Sequence, residues 1–100
     1  MARRLAWSPE AADDLADITA YIARDSSAYA RAVAKKVLAT AKSIQQFPEI
    51  GRVVPELGNA LLRERFVYSY RVIYRIEPRR ILIVAILHGK RLLETRNSPL

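Results

Sequence analysis

The sequence predicts an α+β fold in which a two-helix antiparallel hairpin packs on a largely antiparallel four-stranded sheet, in the order β-α-α-β-β-β. Three observations lead to this prediction. Residues 70–76 (YRVIYRI) alternate at the strand period of two and are mostly β-branched and aromatic. Two long stretches before them place apolar residues at helical spacing. Short turns join the last three predicted strands, which therefore form a meander.

The first half of the chain contains a short edge strand, over residues 3–7, and both helices. Each helix has a serine N-cap before it and a stop signal after it. The predicted boundaries are Ser8 and Arg24 or Asp25 for the first helix, and Ser26 or Ser27 and Pro48 for the second. Proline ends the second helix because the residue before a proline avoids the helical region. The short connection makes the helices antiparallel neighbours.

The second half of the chain supplies the meander. Residues 48–59, with several prolines and glycines, predict a loop. Residues 61–67 and 70–76 predict two strands that reverse at Tyr68 and Ser69, and residues 81–87, apolar on both faces, predict a central strand. In residues 70–76, one face carries Tyr70, Val72, Tyr74 and Ile76, which should pack under the helices, and the other carries Arg71, Ile73 and Arg75.

Size and composition limit the classes of function. One hundred residues suit a single domain spanning residues 1–100. The absence of cysteine excludes disulfides and thiolate catalysis, and it fits a cytoplasmic protein. The longest apolar run, residues 81–87, is far too short to span a bilayer. We therefore predict no membrane association.

Positive charge is concentrated in the second half of the chain. Residues 1–50 contain seven Lys/Arg against six Asp/Glu, a net charge of +1, whereas residues 51–100 contain ten against four, a net charge of +6. A basic surface of this kind attracts polyanions such as nucleic acid or an acidic protein. The alternative interpretation is that the charge only keeps the surface soluble.

Few catalytic motifs are present. One histidine and no cysteine exclude a His/Cys metal site and a Cys–His pair. There is no Walker A loop and no GxGxxG motif, and a serine triad would need His88, which no nucleophile elbow accompanies. Asp13 and Asp17 share a helix face, but the helix dipole explains them better than a metal ion does. We predict no cofactor and no metal.

Basic residues alternate along the strands of the meander. They are Arg63 and Arg65 on one strand, Arg71 and Arg75 on the next, and Lys90 and Arg91 after the last. We expect them to converge on the open face of the sheet, opposite the helices. Guanidinium groups match phosphate geometry, and with Tyr68 nearby the set would suit an RNA backbone and a stacked base. Taken singly, each arginine is more often a solvated surface residue.

Short motifs along almost the whole chain resemble the RelE/ParE superfamily of toxins from bacterial type II toxin–antitoxin systems. Their order and spacing make the resemblance fairly specific. The motifs are residues 7–11 (WSPEA), 14–15 (DL), 21–23 (YIA), 47–48 (FP), 51–52 (GR), 62–64 (LRE), 70–74 (YRVIY) and 88–91 (HGKR). The family fold, a helical hairpin on a largely antiparallel sheet, agrees with the predicted one. The last two motifs look most like the ParE and plasmid-stabilisation branch.

The resemblance implies one of two activities. ParE-like members inhibit DNA gyrase, and RelE-like members are ribosome-dependent endoribonucleases that cut mRNA. We favour a gyrase inhibitor with no chemistry of its own and keep the mRNA interferase as the alternative. A third hypothesis is an inactive member that only binds its antitoxin.

For the interferase alternative, the resemblance assigns phosphate binding to four arginines and proton transfer to the histidine. These residues are Arg63, Arg65, Arg71, Arg91 and His88. At the position where the family has its catalytic tyrosine, this sequence has Asn97, and asparagine transfers protons poorly. His88 would act in its place as general acid or base. The alternative for His88 is a strand-end residue satisfied by a backbone partner.

All three hypotheses imply the same partner. By resemblance it is a cognate antitoxin whose C-terminal segment wraps the toxin in a hetero-oligomer. The basic second half of the chain would steer an acidic, flexible segment that folds as it binds.

Overall fold

The computed structural model describes residues 3–89. Its elements are β1 (Arg4–Trp7), α1 (Pro9–Ala23), α2 (Ser27–Gln46), a 3₁₀ helix (Pro48–Ile50), β2 (Arg52–Val53), β3 (Leu62–Val67), β4 (Tyr70–Ile76) and β5 (Arg80–His88). The α+β prediction is confirmed. The sheet has five strands rather than the predicted four, because Arg52 and Val53 in the predicted loop pair with β3.

The strands lie in the order β1-β5-β4-β3-β2. Neighbouring strands from β2 to β5 are antiparallel, whereas β1 pairs with β5 in parallel and ends opposite Ile83. β1 is therefore an edge strand, as predicted. On the other side of β5 the register shifts between Ile73 and Tyr74 of β4, so Val84 forms a β-bulge.

Side chains at the start of α1 satisfy backbone groups around the bulge. Ser8 Oγ accepts a hydrogen bond from Ala11 N (3.0 Å), which confirms Ser8 as the N-cap, and donates one to Val84 O (3.2 Å). The carboxylate of Asp14 accepts a hydrogen bond from Ile86 N (2.9 Å). Ile86 lies beyond the end of the β1 pairing. Asp14 thus supplies an acceptor that the neighbouring strand does not reach.

The remaining helix boundaries also agree with the prediction. α1 ends at Ala23 with Arg24 as its C-cap. Ser26 is the N-cap of α2, because its Oγ accepts a hydrogen bond from Tyr29 N (3.0 Å). α2 ends at Gln46, just before the proline predicted to stop it.

The main core lies between the helices and one face of the sheet, which we call the helix face. Val72 and Tyr74 of β4 are fully buried there, which confirms the predicted inward face of β4. The opposite face, which we call the second face, carries a smaller apolar cluster that includes Val54, Ile73 and Leu87. Val54 belongs to the loop after β2, so this loop covers part of the face that was predicted to be open.

Candidate functional site

The β3–β4 hairpin determines which arginines share a face of the sheet. Directly opposite residues of antiparallel strands lie on the same face. Arg65 is opposite Val72, and Arg63 is opposite Tyr74. Because Val72 and Tyr74 pack under the helices, Arg63 and Arg65 lie on the helix face.

Arg71 lies on the second face, opposite Phe66. The prediction that Arg63, Arg65 and Arg71 converge on one open face is therefore wrong. The physical reason is the two-residue loop, which pairs odd-numbered residues of β3 with even-numbered residues of β4. Three odd-numbered arginines on these two strands cannot share a face, since the side-chain period of a strand is two.

Arg71 is held in a buried ion-pair network, with only 4% of its surface exposed. Its Nε lies 2.6 Å from Glu64 Oε1, and its Nη1 and Nη2 lie 2.7 and 2.8 Å from the two oxygens of the Glu56 carboxylate. The second oxygen of Glu64 accepts a hydrogen bond from Arg52 Nε at 2.6 Å. Cations and carboxylates therefore alternate along the second face.

The carboxylates of this network compensate the charge of Arg71. The hydrogen bonds that Arg71 donates to Glu56, followed by the one it donates to Glu64, raise the pKa of Arg71 above its ordinary value, while burial acts in the opposite direction. A phosphate group could reach the guanidinium only by displacing one of the two carboxylates. This geometry is that of an internal structural contact more than that of an anion-binding site.

Arg63 and Arg65 are bound to backbone carbonyl oxygens instead. Arg63 donates from Nε to Ala60 O (2.9 Å) and from Nη1 to Gly51 O (3.0 Å), and Arg65 donates from Nη1 to Ile50 O (3.4 Å). A carbonyl group carries no net charge. These contacts therefore orient the two guanidinium groups without neutralising them.

Tyr74 of β4 is hydrogen-bonded to the segment that follows α2. Its hydroxyl donates a hydrogen bond to Pro48 O (2.5 Å) and accepts one from Gly51 N (3.0 Å). Burial raises the pKa of Tyr74, although the hydrogen bond from Gly51 acts in the opposite direction. A Cβ on Gly51 would lie 2.6 Å from the Tyr74 hydroxyl and 2.7 Å from the carbonyl oxygen of Glu64, so this close approach requires glycine.

His88 is the exposed last residue of β5. It lies opposite Tyr70, and the two rings meet edge to face with their centroids 5.8 Å apart. This register places His88 on the helix face. Arg91, the remaining predicted site residue, and Asn97 lie outside the described residues.

A groove beside Arg63 was not anticipated from the sequence. It has a volume of about 690 Å³ and lies between the C-terminal end of α2, the 3₁₀ helix and the chain entering β3. Phe47, Ile50 and Leu61 line it with apolar side chains, and Arg3 and Arg63 also line it. The available sequence signal was the presence of these three large apolar residues in and beside a segment predicted to be a loop.

A family model described as the ParE toxin of type II toxin-antitoxin system, parDE, matches residues 5–93. The chain belongs to this family. The fold is similar to that of the chromosomal ParDE TA system from P. aeruginosa, with 21% identity, a TM-score of 0.72, and coverage of 88% of this chain and 97% of that chain. It is also similar to the YoeB dimer from Staphylococcus aureus, with 16% identity, a TM-score of 0.61, and coverage of 88% and 98%. A search of curated protein sequences found no match.

Membership of the ParE toxin family confirms the resemblance to the RelE/ParE superfamily. At these identities the two structural neighbours show the fold alone, so they do not choose between the two activities of the superfamily. Within residues 3–89 of this ParE-family toxin, no three His, Cys, Asp or Glu residues are grouped so that they could hold a metal ion. Neither helix in that range has the length and apolar character needed to cross a membrane.

Proposed function

We propose that this ParE-family toxin inhibits DNA gyrase by binding to it, without chemistry of its own, and that a cognate antitoxin neutralises it. The match of residues 5–93 to the ParE toxin family carries the proposal. Gyrase inhibition is the activity that resemblance to the ParE branch implies. The proposed place of action is the cytoplasm, where gyrase and chromosomal DNA are found.

The arrangement of the arginines supports binding over phosphate chemistry. Arg71 is compensated by two carboxylates on the second face, whereas Arg63 and Arg65 lie on the helix face. A phosphate clamp needs several cations around one anion. Cations on opposite faces of a sheet cannot surround the same phosphate group.

The charge of the chain supports an acidic partner. The ten Lys/Arg of residues 51–100 outnumber the four Asp/Glu, and steering by such charge accelerates association with an acidic segment. The association rate with antitoxin should therefore fall as salt is added, because salt screens exposed charges. A rate that does not change with salt would contradict this account of the steering.

A supercoiling assay with purified gyrase tests the main proposal. Toxin added to gyrase and relaxed plasmid should block supercoiling and increase the amount of gyrase-cleaved plasmid. The matched control is toxin mixed with antitoxin before gyrase is added, which should restore supercoiling. Full supercoiling in a large excess of folded toxin would refute the proposal.

The interferase alternative is supported by one feature of the structure. His88 is exposed on the same face of the sheet as Arg63 and Arg65. This function predicts cutting of ribosome-bound mRNA, with cutting lost in His88→Ala. The exposed position of His88 means that the variant should fold, whereas Arg71→Ala would remove a buried charge and would not separate activity from stability. If no ribosome-dependent cutting is detected, the alternative is removed.

Expression of the toxin without antitoxin separates the three hypotheses in cells. Filamentation with a DNA-damage response supports gyrase inhibition, and arrest of translation supports the interferase. Unaffected growth with normal amounts of folded protein supports an inactive member that only binds its antitoxin.

A further inference from the structure

The groove beside the C-terminal end of α2 exposes large apolar side chains. Phe47, Ile50 and Leu61 line it, and their exposed fractions are 63%, 40% and 54%. Large apolar residues gathered at the surface mark a binding site more often than isolated exposed ones do. The volume of about 690 Å³ lies within the range of roughly 300–1,000 Å³ that is typical of ligand-binding clefts.

Two arginines of the same groove donate hydrogen bonds to uncharged backbone oxygens. Arg63 is held by two backbone carbonyl oxygens, and Arg3 donates from Nε to the backbone oxygen of Glu77 at 2.7 Å. These acceptors fix the guanidinium groups without compensating them, in contrast to the carboxylates around Arg71. One carboxylate, Glu49, also lines the groove, so positive charge exceeds negative charge among its described residues.

We propose that this groove binds an acidic segment of the cognate antitoxin that also carries apolar side chains. The apolar side chains would contact Phe47 and Leu61, and the carboxylates would pair with Arg3 and Arg63. The inference rests on the proposed function, a toxin neutralised by an antitoxin, and adds the site at which the antitoxin binds. A polypeptide fits the groove better than a nucleic acid does, because Phe47 is the one aromatic ring among the described lining residues and offers little surface for stacking bases.

Fluorescence anisotropy tests the site. The probe is a fluorescein-labelled synthetic peptide comprising the C-terminal half of the antitoxin encoded beside the toxin. Leu61→Glu and Arg63→Glu should each weaken binding about tenfold or more, since the first places a carboxylate in the apolar contact and the second reverses a charge. Leu38→Glu is the matched control, because Leu38 is an apolar residue of α2 that is 50% exposed and does not line the groove. The affinity of Leu38→Glu for the peptide should stay within about twofold of that of wild type.

The salt dependence of Kd separates the contribution of charge to peptide binding from that of the apolar contacts. Arg63→Glu should reduce the dependence of Kd on salt, whereas Phe47→Ser should weaken binding and leave that dependence unchanged. Circular dichroism and thermal melting establish that each variant is folded. Large losses of stability are unexpected in the Leu38, Phe47 and Leu61 variants, because these side chains are exposed. Arg63 is half-buried, so the melting curve of Arg63→Glu is needed to establish its fold.

Each outcome of these measurements supports or overturns the inference. Wild-type affinity in folded Leu61→Glu and Arg63→Glu would overturn the groove as the site while leaving the antitoxin as the partner. No binding of the peptide to wild type would overturn both. Peptide binding in the groove by a toxin that does not inhibit gyrase would refute the gyrase proposal alone. The inference would also be overturned if a single-stranded DNA bound wild type more tightly than the peptide does and Leu61→Glu abolished that DNA binding. The groove would then be a nucleic-acid site.

Discussion

Arg71 of β4 and Glu64 of β3 form an ion pair, with Nε and Oε1 2.6 Å apart and side-chain exposures of 5% and 0%. Buried charges of this kind are costly unless they are paired and hydrogen-bonded. The pair also specifies the register of β3 on β4, since a slip of one residue would move Glu64 to the helix face, away from Arg71. The arginine that the family resemblance assigned to phosphate binding thus has a structural role in this chain.

Loss of Arg71 should reduce the free energy of unfolding far more than loss of a less buried arginine does. Arg71→Ala removes the buried guanidinium that the carboxylates of Glu56 and Glu64 share, so the free energy of unfolding should fall by about 3–5 kcal/mol. Arg75→Ala is the matched control, because the Arg75–Glu77 pair is half-exposed with a separation of 3.3 Å, and its loss should cost under about 1 kcal/mol. Urea unfolding followed by circular dichroism measures both. Equal losses in the two variants would contradict the assigned role of the network.

Asp14 should contribute more to stability than its neighbour Asp13. The Asp14 carboxylate accepts a hydrogen bond from Ile86 N at 2.9 Å, and Asp14→Ala should therefore cost about 1.5–3 kcal/mol. Asp13 is the neighbouring residue but is exposed, and Asp13→Ala should cost at most about 1 kcal/mol, because the effect of the helix dipole weakens beyond the first turn. Chemical denaturation gives the comparison. Similar losses in the free energy of unfolding for the two variants would mean that the helix dipole alone explains the contribution of both carboxylates.

The Tyr74 hydroxyl should stabilise the segment between α2 and β2. Tyr74→Phe leaves Pro48 O and Gly51 N without this partner, and we expect a loss of about 1–3 kcal/mol in the free energy of unfolding. Tyr21→Phe removes a hydroxyl from a side chain that is 68% exposed, and its effect should stay within about 0.5 kcal/mol. Thermal melting of the two variants beside wild type measures the difference. A Tyr74→Phe variant as stable as Tyr21→Phe would show that the hydroxyl contributes nothing.

The acid dependence of stability should involve Glu77. The hydrogen bond from Arg80, followed by that from Arg75, lowers the pKa of Glu77 in the folded state, against the effect of burial. A depressed carboxyl pKa contributes stability that is complete above the unfolded value, near 4.5, and is lost as the pH falls through the lower folded value. Wild type should therefore exceed Glu77→Gln in stability at pH 7, and the difference should shrink below that unfolded value.

Denaturant midpoints measured from neutral to acidic pH test this dependence. Arg80→Gln is the matched variant, because it removes the largest cause of the lowered pKa of Glu77 while keeping the carboxyl group. It should lose most of the same acid-dependent contribution. A constant difference between wild type and Glu77→Gln over the whole range would contradict the assignment.

Local patterns were enough to predict the elements that carry the site. The N-caps Ser8 and Ser26 and the stop before Pro48 act within one helical turn, so the sequence around each residue contains the information. The faces of β4 follow in the same way from the strand period of two. Strand β2 was not predicted because it has two residues, too few for a periodic pattern, and it exists only through its pairing with β3.

The separation of the arginines over two faces was present in the sequence but was not deduced from it. A two-residue turn at Tyr68 and Ser69 was predicted, and that turn alone places Arg65 and Arg71 on opposite faces. The exposure of Phe47 and Leu61 in the groove could not be deduced in this way. It depends on where the segment after α2 runs, which is determined by contacts such as the hydrogen bonds of Tyr74 with Pro48 and Gly51.

By itself, the sequence determined the α+β fold class, the helix boundaries, the predicted strand faces of β4 and the resemblance to the toxin family, because each of these is encoded in local periodicity, capping residues or short motifs. Only the tertiary structure decided what the arginines bind. Arg71 meets Glu56 across 15 residues of chain, and this contact depends on a loop that folds over the second face by burying Val54. Contacts between separated segments depend on the path of the connecting chain, and no local pattern of residues predicts that path.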